Sequence, residues 1–273
     1  WHDVNEGREP YMKRLVERIL QDPQAPEHDY YFDVLSLHIY FRTQSVYDIV
    51  HEMRQMLDAN GLVNKRIWIN ETNAAPTDDP DWPVERPVFQ LDLQHQAAFL
   101  VQSAALGLAA GAERIAAYKL YDQQLLPGGE SFGLLNPASA APRPAFAAWA
   151  MVTQHFDHVI GADYAQTEQV EAVRLHHANL QQTVVLWART EDGATASIEA
   201  TGNKAYRIAL DGTITVLRPD DGMYDIQLSP ALCEEGEGCY LGGTPVLLVQ
   251  PDEPGTLYDM TTDEIIPLVF EQE

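Results

Sequence analysis

The chain has 273 residues, room for one large domain or two ordinary ones. A hydrophobic fraction of 45% with 21% charged residues is that of a folded globular protein and excludes disorder as the overall state. With 41 acidic against 17 basic side chains the formal net charge is −24, which repels nucleic acid and anionic membrane surfaces and suits a neutral partner such as a sugar polymer.

The sequence begins at Trp1 rather than Met and shows no signal sequence, so a processed or truncated N-terminus is expected. Glu9-Pro10 opens the first helix, proline being tolerated in a first turn, and Met12, Leu15, Val16, Ile19 and Leu20 recur at helical spacing. A Pro-containing loop, Asp22 to His28, ends it. Val34 to Tyr40 is too short for a helix and rich in β formers, so it reads as a strand. Ser45 with Asp48 three residues on, a weak variant of the capping box, opens a second helix. Val46, Ile49, Val50, Met53 and Leu57 form its apolar face, and Asn60-Gly61 stops it. Arg66 to Asn70 is the second strand. The loop from Thr72 to Pro87, rich in Pro and Asp, is long enough to suggest a functional loop.

A third, Ala-rich helix is expected over Phe89 to Gly111. Its apolar run from Ala97 to Ala112 holds Gln102 and Ser103 and stops at Glu113 and Arg114. That is short of the roughly 20 apolar residues of a membrane span, so a buried helix is the better reading. Arg114 to Tyr121 is the third strand, and Pro144 opens a last helix through Ala145, Trp149 and Val152. Strands alternating with helices imply parallel strands joined by right-handed crossovers. A closed (β/α)8 barrel needs about 250 residues, so either further strands precede Trp1 on another piece of chain or the sheet is open.

Near residue 156 the pattern changes, which divides the chain into a unit over 1–156 and a second over 157–273. Strands are expected at Val170–Leu175, Thr183–Ala188, Thr195–Ala200, Ala205–Ala209, Thr213–Leu217, Met223–Leu228 and Val246–Val249. Asp192-Gly193, Asp211-Gly212 and Asp221-Gly222 lie between or beside them as hairpin signals, and the spacing reads as an antiparallel sandwich. Cys233 and Cys239 flank a Gly-containing loop. A disulfide closing it would imply an oxidising compartment; two unpaired thiols is the alternative.

Side chains alternate across a strand, so Ser36, His38 and Tyr40 share one face and Leu35, Leu37 and Ile39 the other. In a barrel the polar face points inward, with His38 and Tyr40 at the C-terminal mouth where barrel active sites lie; a buried His and Tyr with satisfied hydrogen bonds is the equal alternative. The same alternation puts Ile67, Ile69 and Glu71 on one face, and Glu71 reads as the end of an inward-facing row. A Glu there is costly unless paired or functional. Asn70-Glu71-Thr72 also fits the glycosylation sequon, but a glycan at a barrel mouth would block the site, so the match reads as accidental. Trp82, in the long loop, reads equally as a sugar platform or a loop anchor.

Tyr31 to Tyr40 resembles the sixth strand of clan A glycoside hydrolases, especially those similar to family 39, and Ile67 to Asn73 their seventh strand, which ends in the nucleophilic Glu. Arg114 to Asp122 resembles the eighth strand. Gly133-Leu134-Leu135 followed by Pro142 to Phe146 resembles the run into the last barrel helix, and Leu241 to Val249 the closing strand of the appended sandwich. The resemblance implies a mixed α/β plus all-β fold: the C-terminal portion of a (β/α)8 TIM barrel over 1–156, then a small antiparallel β-sandwich over 157–273. It implies a retaining glycoside hydrolase with Glu71 as nucleophile, in which two carboxyls stand about 5–5.5 Å apart. Tyr40 would hydrogen-bond Glu71, His38 would line the sugar pocket, and Asn73 and Tyr118 join them as candidate substrate contacts. Tyr118 stands where the family usually has Trp. The family's acid/base follows an Asn on the fourth strand; Asn5-Glu6, the only upstream Asn-Glu pair, precedes a helix and reads as a solvated Glu.

The reading calls for no cofactor and no metal. Its expected partners are a carbohydrate substrate and either the N-terminal barrel half or a second copy of the chain, with no nucleic acid and no membrane. The expected location is extracellular or the cell envelope. A non-catalytic carbohydrate-binding or assembly module derived from such an enzyme is the alternative.

Overall fold

The computed structural model of the chain describes residues 7–234 and 238–251; Asn5-Glu6 lies outside them. The first part runs α1 (Tyr11–Leu20), a 3-10 stretch (Ala25–Tyr31), β1 (Val34–Tyr40), α2 (Thr43–Ala59), β2 (Arg66–Asn73), α3 (Leu93–Ala109), β3 (Arg114–Ala117) and α4 (Pro144–His155). The three strands form one sheet in the order β1-β2-β3, with both pairings parallel, as the alternation of strands and helices implies. Each crossover is a 17-residue helix, about 25 Å long, enough to carry the chain back along the sheet.

α3 is buried on nearly every side, from Gln96 to Gly107, because it lies on the sheet and also meets α2, α4 and the antiparallel strands. That explains a helix apolar all round without a membrane. Gly107 lets it sit close: a Cβ there would meet Cδ1 of Ile115 at 2.8 Å and of Ile69 at 2.9 Å. Among the described residues no helix is long and apolar enough to cross a membrane.

Two helix starts differ from expectation. α2 begins at Thr43 with no side-chain cap, and Asp48 accepts from Gln44 rather than closing a box with Ser45. α3 begins at Leu93, behind a capping box in which the Asp92 carboxylate accepts from His95 N at 2.8 Å and His95 Nδ1 accepts from Asp92 N at 3.2 Å.

The second part is antiparallel. β4 (Val159–Gln166), β5 (Val170–His177), β6 (Gln182–Ala188), β8 (Ala205–Ile208), β9 (Ile214–Leu217) and β13 (Val246–Gln250) form a six-stranded sheet in the order β4-β5-β6-β13-β8-β9. β7 (Ala194–Glu199) and β10 (Met223–Leu228) pair as a separate ribbon, and β11 (Leu232–Glu234) pairs with β12 (Gly238–Leu241). The ribbon covers one face of the six-stranded sheet, sealing a core that includes Val184, Leu186, Tyr224, Ile226 and Leu248. Val173, Leu175, Val185, Trp187 and Leu247 join the main core, continuous with α3. With both faces covered, β6 is a nearly unbroken apolar run rather than an alternating one.

Of the Asp-Gly signals, only Asp211-Gly212 joins two strands that pair with each other, β8 and β9. Asp192-Gly193 carries the chain from the six-stranded sheet to the ribbon. Asp221-Gly222, both with positive φ, makes the tight turn bridging Asp220 and Met223 before β10.

Candidate active site

Glu71 sits at the C-terminal end of the central parallel strand, but alternation alone does not put it there. Ile67 and Ile69 are buried against the helices, not in an inward row. Leu37 pairs with Ile69, then the register slips so that His38 pairs with Glu71. Asn70 is the extra residue of this bulge, and its amide donates to Ser36 Oγ at 2.7 Å on the open face. The slip turns Glu71 from the helix side to the face that carries Ser36, His38 and Tyr40. Bulges re-aim a side chain in this way beside functional sites.

On that face the Tyr40 hydroxyl donates to Glu71 Oε2 at 2.6 Å, and His38 Nδ1 lies 3.3 Å from the same oxygen. Glu71 is 31% exposed and His38 55% exposed, so the carboxylate is held from one side and open on the other. Burial, reinforced by the bond to the Glu71 carboxylate, raises the Tyr40 hydroxyl pKa far above that of a free phenol. Tyr40 therefore remains a donor across the physiological range. Its ring stands edge-on to Tyr118 and Phe132, at 6.2 and 5.4 Å between centroids.

Tyr118 follows β3 and is half-buried at the same end of the sheet; its carbonyl accepts from Asn73 Nδ2 at 2.6 Å. Asn73 was expected among the substrate contacts, yet the structure buries it completely. Its amide nitrogen also donates to Phe132 O at 2.7 Å, and its amide oxygen accepts from Ala74 N and Gln96 Nε2. In this arrangement Asn73 is a strut between the end of β2 and the loop after β3. Trp82 has the place of an anchor, its indole nitrogen donating to Gly129 O at 2.9 Å.

Sequence reasoning missed the residues that fix the mouth loops. Asp79, in the loop after β2, pairs with Arg143, just before α4, at 2.6 Å, with side chains 1% and 2% exposed. Arg143 also donates to Ser131 Oγ and to the Ser131 and Gly133 carbonyls. Asp122 accepts from Ser131 Oγ and Gly133 N. Nothing local in the sequence pairs residues 64 positions apart. Phe41 and Phe132 carried no signal beyond being aromatic.

Farther away, Cys233 and Cys239 form a disulfide across the paired strands β11 and β12. Among the described residues no group of three or more His, Cys, Asp or Glu side chains is placed to hold a metal ion.

No family model matches the chain, and no curated protein matches it in sequence. Solved structures that it resembles include glycoside hydrolases. A family 39 glycoside hydrolase from the gut symbiont Bacteroides cellulosilyticus WH2 superposes with a TM-score of 0.59 at 18% identity, over 84% of this chain and 46% of its own. A GH30 endoxylanase from Clostridium papyrosolvens C71 does so with a TM-score of 0.51 at 13% identity, over 86% and 52%. A glucosidase from Croceicoccus marinus gives 0.50 at 12% identity, over 85% and 58%. This chain spans about half the length of these structures. At such identities the likeness is one of fold: the chain shares the fold of part of these glycoside hydrolases, consistent with the sequence resemblance to clan A.

Proposed function

We propose that the chain is the C-terminal part of a retaining glycoside hydrolase. In this reading residues 1–156 are the closing strands and helices of a (β/α)8 barrel, residues 157–273 are an appended β-sandwich, and Glu71 is the nucleophile. The observation that carries the reading is a carboxylate at the C-terminal end of a parallel strand, turned by a bulge onto the open face and held there by a phenol at 2.6 Å. One oxygen is oriented by Tyr40; the carboxylate attacks the anomeric carbon, displaces the glycosidic oxygen and forms a glycosyl ester that water then hydrolyses. His38 and Tyr118 flank the carboxylate on the side from which the sugar approaches. Asn73, in place of a sugar contact, holds the two loops that shape the mouth.

Glu71's polar partners are Tyr40 and His38, neither of them a second carboxyl. In the nucleophile reading the leaving oxygen is protonated by a second carboxyl about 5–5.5 Å from Glu71, beyond the reach of a direct hydrogen bond. A closed barrel in this reading takes its other strands from an N-terminal barrel half or from a second copy of the chain. The open side of the Glu71 carboxylate supports a second reading, a carbohydrate-binding module in which Glu71 accepts hydrogen bonds from sugar hydroxyls. The disulfide and the family resemblance are compatible with an extracellular or cell-envelope setting.

The test is Glu71→Gln in the completed protein, assayed on aryl glycosides beside the wild type. The nucleophile reading expects kcat to fall by several orders of magnitude with substrate binding kept. Near-normal hydrolysis rejects it. Binding without hydrolysis by either protein selects the module.

A further inference from the structure

A continuous run of aromatic rings joins the disulfide-closed hairpin of the antiparallel part to Glu71. Tyr240 follows Cys239 on β12 and is 4% exposed. Its hydroxyl reaches Gln90 O at 3.4 Å, and its ring lies 5.3 Å from Phe89. Phe89 stacks on Phe41 at 5.2 Å and 27°, with the Arg42 guanidinium 5.6 Å over its ring. Phe41 meets Phe132 at 5.8 Å, and Phe132 meets Tyr40, whose hydroxyl holds Glu71.

Phe41 is the link that needs support. Its φ is +67°, a left-handed conformation that a bulky side chain rarely adopts and that persists only where surrounding contacts impose it. It directly follows Tyr40, and its amide donates to Asn73 O, so its backbone ties the ends of β1 and β2 together. If Phe41 relaxed, Tyr40 would turn and the 2.6 Å bond to Glu71 would open. Phe89 presses on Phe41 from one side and is itself backed by Tyr240. The pairing of Cys233 with Cys239 holds β12, and with it Tyr240, against β11.

We propose that Tyr240 is a positioning residue for Glu71, acting through Phe89 and Phe41 on the Tyr40 hydroxyl, so that the antiparallel part helps to set the site instead of merely accompanying it. The inference rests on the reading of Glu71 as the working carboxylate.

The experiment follows the 13Cζ resonance of Tyr40 in this chain labelled with 13Cζ-tyrosine, assigned by its loss in Tyr40→Phe. Glu71→Gln removes the charged acceptor and defines the displacement that accompanies a weakened bond. Tyr240→Leu is expected to displace the Tyr40 resonance in the same direction and to a comparable extent. Tyr240→Phe, which keeps the ring, should restore it. Phe89→Leu breaks the same run one ring nearer the site and should reproduce the displacement if Tyr240→Leu fails to fold. In the completed enzyme the folded variant should lose about tenfold in kcat with KM unchanged. A Tyr40 resonance that stays at its wild-type position in both Tyr240→Leu and Phe89→Leu, while Glu71→Gln moves it, overturns the positioning role alone. An unmoved resonance in Glu71→Gln overturns the Tyr40–Glu71 pairing and the site reading with it.

Discussion

Removing the Asp79 carboxylate should destabilise the chain more than its small volume suggests. Arg143 Nη2 and Nε lie 2.6 and 3.1 Å from Asp79 Oδ2, and both side chains are almost wholly shielded from water. Asp79→Ala leaves the guanidinium buried with its carbonyl and hydroxyl acceptors but without its counter-charge. Breaking one side of a buried pair costs about 3–5 kcal/mol, because the remaining charge stays desolvated. For a chain of this size each kcal/mol lowers Tm by roughly 2–4 °C, so the loss should be on the order of 10 °C. Asp79→Asn keeps the shape and one acceptor and should cost less. Thermal unfolding followed by circular dichroism measures both. Because the pair joins the loops after β2 and β3, proteolysis within 118–143 should quicken in Asp79→Ala. A melting temperature within about 2 °C of wild type would mean that the Arg143 charge is not left uncompensated.

His155 and His177 are buried neutral, His155 pushed down to about 4 by burial and by neighbouring His177, and His177 lowered by burial. Below the unfolded value of 6.5 the unfolded chain takes up protons that the folded one refuses, so stability is full above that pH and falls as pH drops toward 4. Between pH 7.5 and 5 His155 alone should account for a loss of about 2 kcal/mol, and denaturant unfolding of His155→Leu should show a flatter dependence there. Asp92→Ala should cost about 1 kcal/mol by removing the cap of α3, read from the urea midpoint. Gly243→Ala should be much worse than Gly107→Ala in a thermal melt. A Cβ at 243 collides with the Ser229 carbonyl of the backbone, whereas at 107 it meets only the ends of two Ile side chains.

How far these features can be read in the sequence depends on whether they are local. β1, β2, α2 and α4 follow from periodicity and β formers within each segment, and parallel pairing follows from their alternation. β4 was missed because it is an edge strand with no fully buried position, so no apolar alternation marks it. β11 and β12 are short and take their pairing from the cysteines. Alternation put Glu71 at the correct strand end but on the face of Ile69; the bulge at Asn70 supplies the turn that places it beside Tyr40, and a strict period of two cannot contain that. The contact between Tyr40 and Glu71 came from family resemblance, and the distance between them agrees with it. Asp79–Arg143 and the run from Tyr240 to Phe132 join residues far apart in the chain, where single-sequence pattern has nothing to count.

In the proposed reaction a Glu71 carboxylate oxygen donates the electron pair that bonds the anomeric carbon. This step is tested most directly by incubating the completed protein with a panel of 2-deoxy-2-fluoro glycosyl fluorides, which form the glycosyl ester quickly and hydrolyse it slowly, and mapping the adduct by peptide mass spectrometry. One glycosyl group per chain is expected, on Glu71, and none in Glu71→Gln. An adduct on any other carboxylate, or labelling that persists in Glu71→Gln, would contradict the assignment to Glu71.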